Sequence, residues 1–298
     1  MLDIYTYQDD LYPLVTKWFN DRLDKKRAII KQVIGFESID RIDLQEQGVG
    51  GYGLVPKYDG STIPELNQKR GFKKVYTPEE YSAKASIQWK YAKVDMSGEA
   101  KKAGTRMADS LHMTQLRAFY NLFANGWNGS FVGADGQPLF SAAHPIANEV
   151  GAETFSNTGT DTFSIAAITK TQTAAQRFKT FDGLEFDCDF NIALVSPELE
   201  PKAKEYFGAD AKLIPDSAEN GANPVKDMNY IVIKGFSAKQ WAVGDKDLMM
   251  EMMKMVEITA PTVIRNKPDN PLVTEFVGYM DFTMGWSDAR QIFGHNPA

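Results

Sequence analysis

At 298 residues, with 43% hydrophobic and 24% charged, the chain is long enough for one large domain or two ordinary ones with real cores. A net charge of −6 argues against a surface built to neutralise nucleic-acid phosphates, which needs clustered Lys and Arg. The single cysteine, Cys188, excludes an intrachain disulfide and cysteine-pair metal sites and fits a reducing compartment. MLDIYTYQDD has no signal-peptide pattern and no run nears the roughly 18 apolar residues of a membrane span, so the expectation is a soluble, intracellular protein.

Residues 1–47 mix short helical patterns, LYPLVTKWF and DKKRAIIKQVI, and read as a segment that lies along something else. GVGGYG at 48–53 satisfies the dinucleotide pattern G-x-G-x-x-G. A nucleotide loop needs a helix opening on those glycines, and LVPKYDGSTIPE cannot start one. Gly48, Gly50, Gly51 and Gly53 are therefore read as a hinge. GFKKVY at 71–76 and KASIQWKYAKV at 84–94 read as strands, the second by its period of two, and together as a two-stranded excursion with a polar tip. Residues 97–125 form the clearest helix, on the order of 40 Å long, capped by Ser97 and stopped by Gly126. Its apolar stripe runs through Ala100, Ala103, Met107, Leu111, Ala118 and Leu122, widened by Leu116, Phe119, Tyr120 and Phe123.

FVGADGQPLF predicts a hairpin around Asp135-Gly136. Thr162 to Lys179 predicts a helix closed by the Asp182-Gly183 turn. LEFDCDFNIALV predicts a strand with Leu184, Phe186, Cys188 and Phe190 on one face. SPELEPKAKEYF starts a helix with Ser196 at the cap and Pro197 in the first turn. Residues 208–229 read as loop. YIVIKGF and WAVGDKDLMMEMMKMVEI read as strands, followed by PLVTEFVGYMDFTMGW with Phe276, Met280, Phe282 and Met284 on one face. The fold class is α+β, with one dominant helix.

The chemistry-bearing residues are few. Ser141 lies three residues before His144 in DGQPLFSAAHP, but no G-x-S-x-G elbow presents it, and Pro145 holds His144 in extended backbone. A hydrogen-bonded structural histidine is the expectation. Cys188, on an apolar face between Asp187 and Asp189, should have a raised pKa and low reactivity. Glu185, Asp187 and Asp189 alternate and could hold a hard cation such as calcium, yet three carboxylates on a solvated face are the commoner arrangement. No catalytic residue, cofactor or metal is expected. Charge is distributed unevenly: residues 57–93 carry eight Lys/Arg against four Asp/Glu, and residues 182–220 ten Asp/Glu against three lysines. Opposite potentials can steer one copy onto another, with Lys69, Arg70, Lys73 and Lys74 facing Glu185, Asp187 and Asp189.

DGQPLFSAAHP at 135–145, the loop SNTGTDTFS, FDGLEFDCDFNIALVSPELEPKAKEYF at 181–207 and the closing FTMGWSDARQIFGHNP at 282–297 resemble, in order and spacing, one family. It is the major capsid proteins of tailed bacteriophages, of the Hong Kong ninety-seven-type fold, and within it the Mu-like head subunits. The resemblance covers residues 85–298. It implies an N-terminal arm at 1–47, an extended loop at 48–94, a peripheral domain with a spine helix at 95–160 and 256–298, and an axial domain at 161–255. It implies as partners the chain itself, in pentamers and hexamers, a portal, a separate scaffolding protein and a decoration protein, with enclosed double-stranded DNA and no membrane. Assembly would occur in the host cytoplasm and end in the virion. An encapsulin-like nanocompartment shell is the alternative within this fold. A hydrolase using Ser141 or Cys188 with His144 is the alternative outside it.

Overall fold

The computed structural model describes residues 4–26, 29–49, 54–58, 60, 63, 65, 70–94, 96–149, 151–208, 223–266, 270 and 272–298. In chain order the elements are α1 (Ile4–Lys26), β1 (Gly35–Ser38), β2 (Leu44–Val49), β3 (Arg70–Tyr76), β4 (Glu79–Gln88), α2 (Trp89–Val94) and α3 (Met96–Ala124). Then come β5 (His144–Pro145), β6 (Thr154–Phe155), β7 (Thr158–Gly159), α4 (Ile165–Ala175), β8 (Ile192–Val195) and α5 (Glu200–Tyr206). The chain finishes with β9 (Asn229–Val232), β10 (Trp241–Gly244), α6 (Lys246–Met252), β11 (Met253–Asn266), β12 (Val273–Trp286) and β13 (Ile292–His295). They fall into two compact units, each assembled from separated stretches of chain.

The first unit comprises Met1–Leu44, Tyr76–Phe119 and Met255–Met284. Its four-stranded sheet runs β1-β11-β12-β4. β12 alternates as its sequence requires: Phe276, Met280 and Phe282 are buried, and Gly278 lets the sheet approach Met107 and Leu111 of α3. A Cβ on Gly278 would stand 3.1 Å from Leu111 and closer still to Met107. The first helical pattern lies within α1, and the second spans the last residues of α1 and a short 3-10 helix at Ile30–Gln32. α1 buries Leu11, Val15, Phe19 and Leu23 at a spacing of four and lies along α3, as expected of a segment that needs a surface. Gly104 is the contact point, where an added Cβ would sit 2.5 Å from the Val15 carbonyl oxygen. Arg22 grips Asp109 with two hydrogen bonds of 2.8 and 3.1 Å.

The second unit comprises Gln45–Val75, Tyr120–Lys254 and Gly285–Ala298. Its five-stranded mixed sheet runs β7-β13-β10-β8-β9, with β10 antiparallel to both neighbours and the outer pairs parallel. The run IALV is buried at all four residues, the pattern of a strand covered on both faces. α4, capped by Ser164 accepting from the Ala167 N–H at 3.2 Å, packs Ile168 and Ala175 into a core with Phe163, Phe178, Phe190 and Trp241.

Several expectations need correction. The strands at 71–76 and 84–88 do not pair with each other: β3 pairs with β2, and β4 with β12. Residues 89–94 are helix, not strand. The Trp89 N–H donates to the Leu272 carbonyl, just ahead of the start of β12, and from there the chain coils and buries Ala92. Residues 246–252 are also helix, because Asp245 caps the Asp247 and Leu248 N–H groups at 3.0 and 3.2 Å and helix-forming Leu, Met and Glu follow. Of the two serines expected to cap a helix, Ser196 does occupy the N-cap position with Pro197 in the first turn, though not through its side chain, and Ser97 is not at the N-cap position. Ser97 lies inside the first turn of α3, and Ser196 donates instead to the Ala238 carbonyl at 2.9 Å. Gly126 ends α3 without a positive φ; it is glycine because Phe140 packs against it.

Candidate assembly surfaces

The Ser141–His144 stretch is framework. His144 is fully buried in the two-residue strand β5. Its Nδ1 lies 2.5 Å from Asp135 Oδ2 and its Nε2 3.1 Å from Asn157 Oδ1, so the ring meets oxygen acceptors on both sides. Ser141 points elsewhere: its hydroxyl donates to Gln137 Oε1 at 3.1 Å and accepts from the Ala143 N–H at 3.2 Å. Nucleophile and base are therefore not hydrogen-bonded, which a serine mechanism requires. Cys188 is buried too, its Sγ 3.4 Å from the Ala175 carbonyl. Burial first, then Asp245, Asp187 and Asp189, push the thiol up to about 11, as expected of a core cysteine.

The organiser of this region is Asn157, which sequence reasoning passed over. Its amide donates to the carbonyls of Leu139, Ala289 and Ile292 at 2.8, 3.0 and 3.2 Å. Its oxygen accepts from the Ser141 N–H at 2.9 Å as well as from His144. Arg290 was passed over also. It is 2% exposed, donates to the Ile146 carbonyl at 2.8 Å, pairs with Asp288 and lies 4.4 Å over the Phe181 ring. The signal for Asn157 was present only as one polar residue in SNTGTDTFS.

The acidic row is on the surface. Glu185, Asp187 and Asp189 are exposed while Cys188 and Phe190 are buried, so the predicted alternation holds although only residues 192–195 form a ladder. No group of three His, Cys, Asp or Glu residues arranged for a metal occurs among the described residues. On the basic side, Arg70 and Lys73 project from β3 into solvent. Lys74 is half-buried, its ammonium 5.7 Å over the Trp286 ring, and burial lowers its pKa against the pull of Asp135. Lys69 lies outside the described residues, as do Gly50, Gly51 and Gly53. Gly48 is within β2, where an added Cβ would meet the Phe181 ring at 3.1 Å. Between them, Leu54, Val55, Tyr58 and Ile63 stand 77%, 79%, 60% and 84% exposed. Apolar surface exposed in one segment in this way is a feature that interaction sites share.

No protein-family model and no curated protein sequence matches the chain. Solved structures do. The chain is similar to the capsid of Ralstonia phage GP4, with 12% identity over 90% of this chain and 88% of that one, at a TM-score of 0.61. It is similar to the capsid of a native GTA particle, with 12% identity over 91% and 90%, at 0.55. It is also similar to a virus-like particle from Pyrococcus furiosus, with 9% identity over 95% and 97%, at 0.53. Identities this low define the fold: the chain has the Hong Kong ninety-seven-type capsid fold, a mixed α+β architecture that spans nearly its whole length.

Proposed function

We propose that the chain is a structural shell protein, the major capsid subunit of a tailed phage of the Mu-like group, which closes in many copies around double-stranded DNA. In this reading residues 161–255 form the axial domain that meets its copies around fivefold and sixfold axes. Residues 48–94 form the extended loop, and a portal, a separate scaffolding protein and a decoration protein complete the particle. The observation that supports it most is the fold's extent, together with an exposed apolar loop and oppositely charged surfaces that have no use in an isolated molecule. Closed heterologous contacts would build the shell, and many weak contacts per subunit would hold it.

Sedimentation of purified protein with negative-stain imaging tests the reading. Closed shells are the expected result; strictly monomeric protein at high concentration would overturn it. Glu in place of Lys69, Arg70, Lys73 and Lys74 should abolish or misdirect assembly, and normal shells at unchanged yield would remove the basic loop from the contact. A nanocompartment is the second reading, favoured by the same fold in the virus-like particle. Nuclease-protected DNA in native particles supports the capsid, and a copurifying enzyme supports the compartment.

A further inference from the structure

The sheet of the first unit ends in an open edge. β4 hydrogen-bonds to β12 along its whole length, from Glu79↔Phe282 to Gln88↔Val273, and no other strand pairs with it among the described residues. Seven of its ten residues are exposed, including every one on the face that carries Glu80, Ser82 and Lys84, while on the other face Ile87 is buried and Tyr81 and Ala85 are partly covered. The outer margin of this ten-residue strand, without a strand partner among the described residues, is a template for another strand, which proteins ordinarily blunt or cover.

The order of side chains on this edge names the partner. In an antiparallel pair, directly opposite residues share a face and interact. Two copies of β4 related by a twofold axis at Ser82 set Glu80 of each opposite Lys84 of the other. The same register sets Tyr81 opposite Ala83, a large ring against a small exposed residue. Centring the axis one residue earlier or later places Glu80 against Ser82 or Ser86 and loses both ion pairs.

The charges on this face are unbalanced in the way such a pair would correct. Across β4 and β12, Glu80 stands directly opposite Asp281, a like-charge arrangement that is unfavourable by itself. The nearby carboxylates of Asp281 and Glu80 push the Tyr279 hydroxyl pKa up, and no Lys, Arg or His forms a salt bridge with either carboxylate among the described residues. Asp281 is 6% exposed, with one carboxylate oxygen unpartnered. Lys84 already donates to Glu275 at 2.9 Å, and an ammonium has two further N–H donors to offer.

We infer that β4 is a self-complementary docking edge, pairing antiparallel with β4 of a second copy about a twofold axis at Ser82. Main-chain hydrogen bonds supply the adhesion and the Glu80–Lys84 pairs set the register. The inference rests on the shell reading only in taking another copy as the partner.

Ser82→Cys tests it, because the one native cysteine is buried. Mild oxidation of the full-length protein, followed by a non-reducing gel, should give a covalent dimer. Ser86→Cys should give none, since its mates would be about 27 Å apart in this register. In the Ser82→Cys background, Glu80→Lys or Lys84→Glu alone should cost the dimer band, and the two together should restore it. Shells that form without a Ser82→Cys dimer, or equal crosslinking at 82 and 86, would overturn this contact and leave the shell reading intact. Dimers from protein that never sediments as shells would overturn the shell reading and leave the contact.

Discussion

In the five-stranded sheet, β8, β10 and β13 are buried at every residue, whereas in the four-stranded sheet β4 is exposed at seven of its ten positions. The first is completed inside the molecule: its outer strands are short, and aromatic rings and α4 fill its core. The second is packed on α3 through β12, and its long outer strand β4 has no further strand beside it among the described residues. The two regions thus differ in kind: one sheet is buried within its unit, and the other presents a strand edge.

The largest effect is expected where the buried sheet is tied to its loops. Asn157→Ala leaves three carbonyls and the His144 ring without their partner and should cost on the order of 4 kcal/mol, read from urea unfolding of unassembled protein. A loss below about 1 kcal/mol would mean that the loop, not the sheet, had absorbed the change.

Acid probes the same unit through His295. It stacks on Trp241 at 4.1 Å with Thr171 Oγ1 2.8 Å from its Nε2. Burial holds its pKa down at about 4, against the pull of Asp161 and with help from Lys170. The unfolded imidazole, near 6.5, binds its proton first, so stability is full above that pH and falls as pH drops from 6.5 towards 4. The loss is about 3 kcal/mol. His295→Phe keeps a stacked ring and should flatten the melting temperature over that window; an unchanged slope would assign the effect to other groups.

The smallest of the three lies in the other unit. Gly104→Ala drives a methyl into the Val15 backbone and should part α1 from α3, at about 2 kcal/mol by thermal unfolding. If it instead stabilises the helix as alanine normally does, α1 is not held against that point.

Much of the fold was legible because it is written in local pattern. The stripe of α3, the alternation of β12, the apolar run of β8 and the Asp-Gly turns at 135 and 182 each occur where the sequence puts them. The errors share a cause. WKYAKV has the period of a strand but coils from the Trp89–Leu272 hydrogen bond onward, and the methionine-rich stretch before β11 is turned into helix by a cap on Asp245. Pairing β3 with β4 assumed that neighbours in sequence are neighbours in the sheet. Of the candidate site, the alternating carboxylates and the inert cysteine could be read directly. Asn157 could not, since two of its carbonyl partners are more than 130 residues away, at Ala289 and Ile292.

β13 lies between β7 and β10, so residues 292–295 complete a sheet whose other strands were synthesised much earlier. Until that stretch clears the ribosome, β7 and β10 each offer a bare margin. Nascent chains in a crowded polysome could then seize one another before the native strand arrives, and a stop codon ahead of Ile292 would make that hazard permanent.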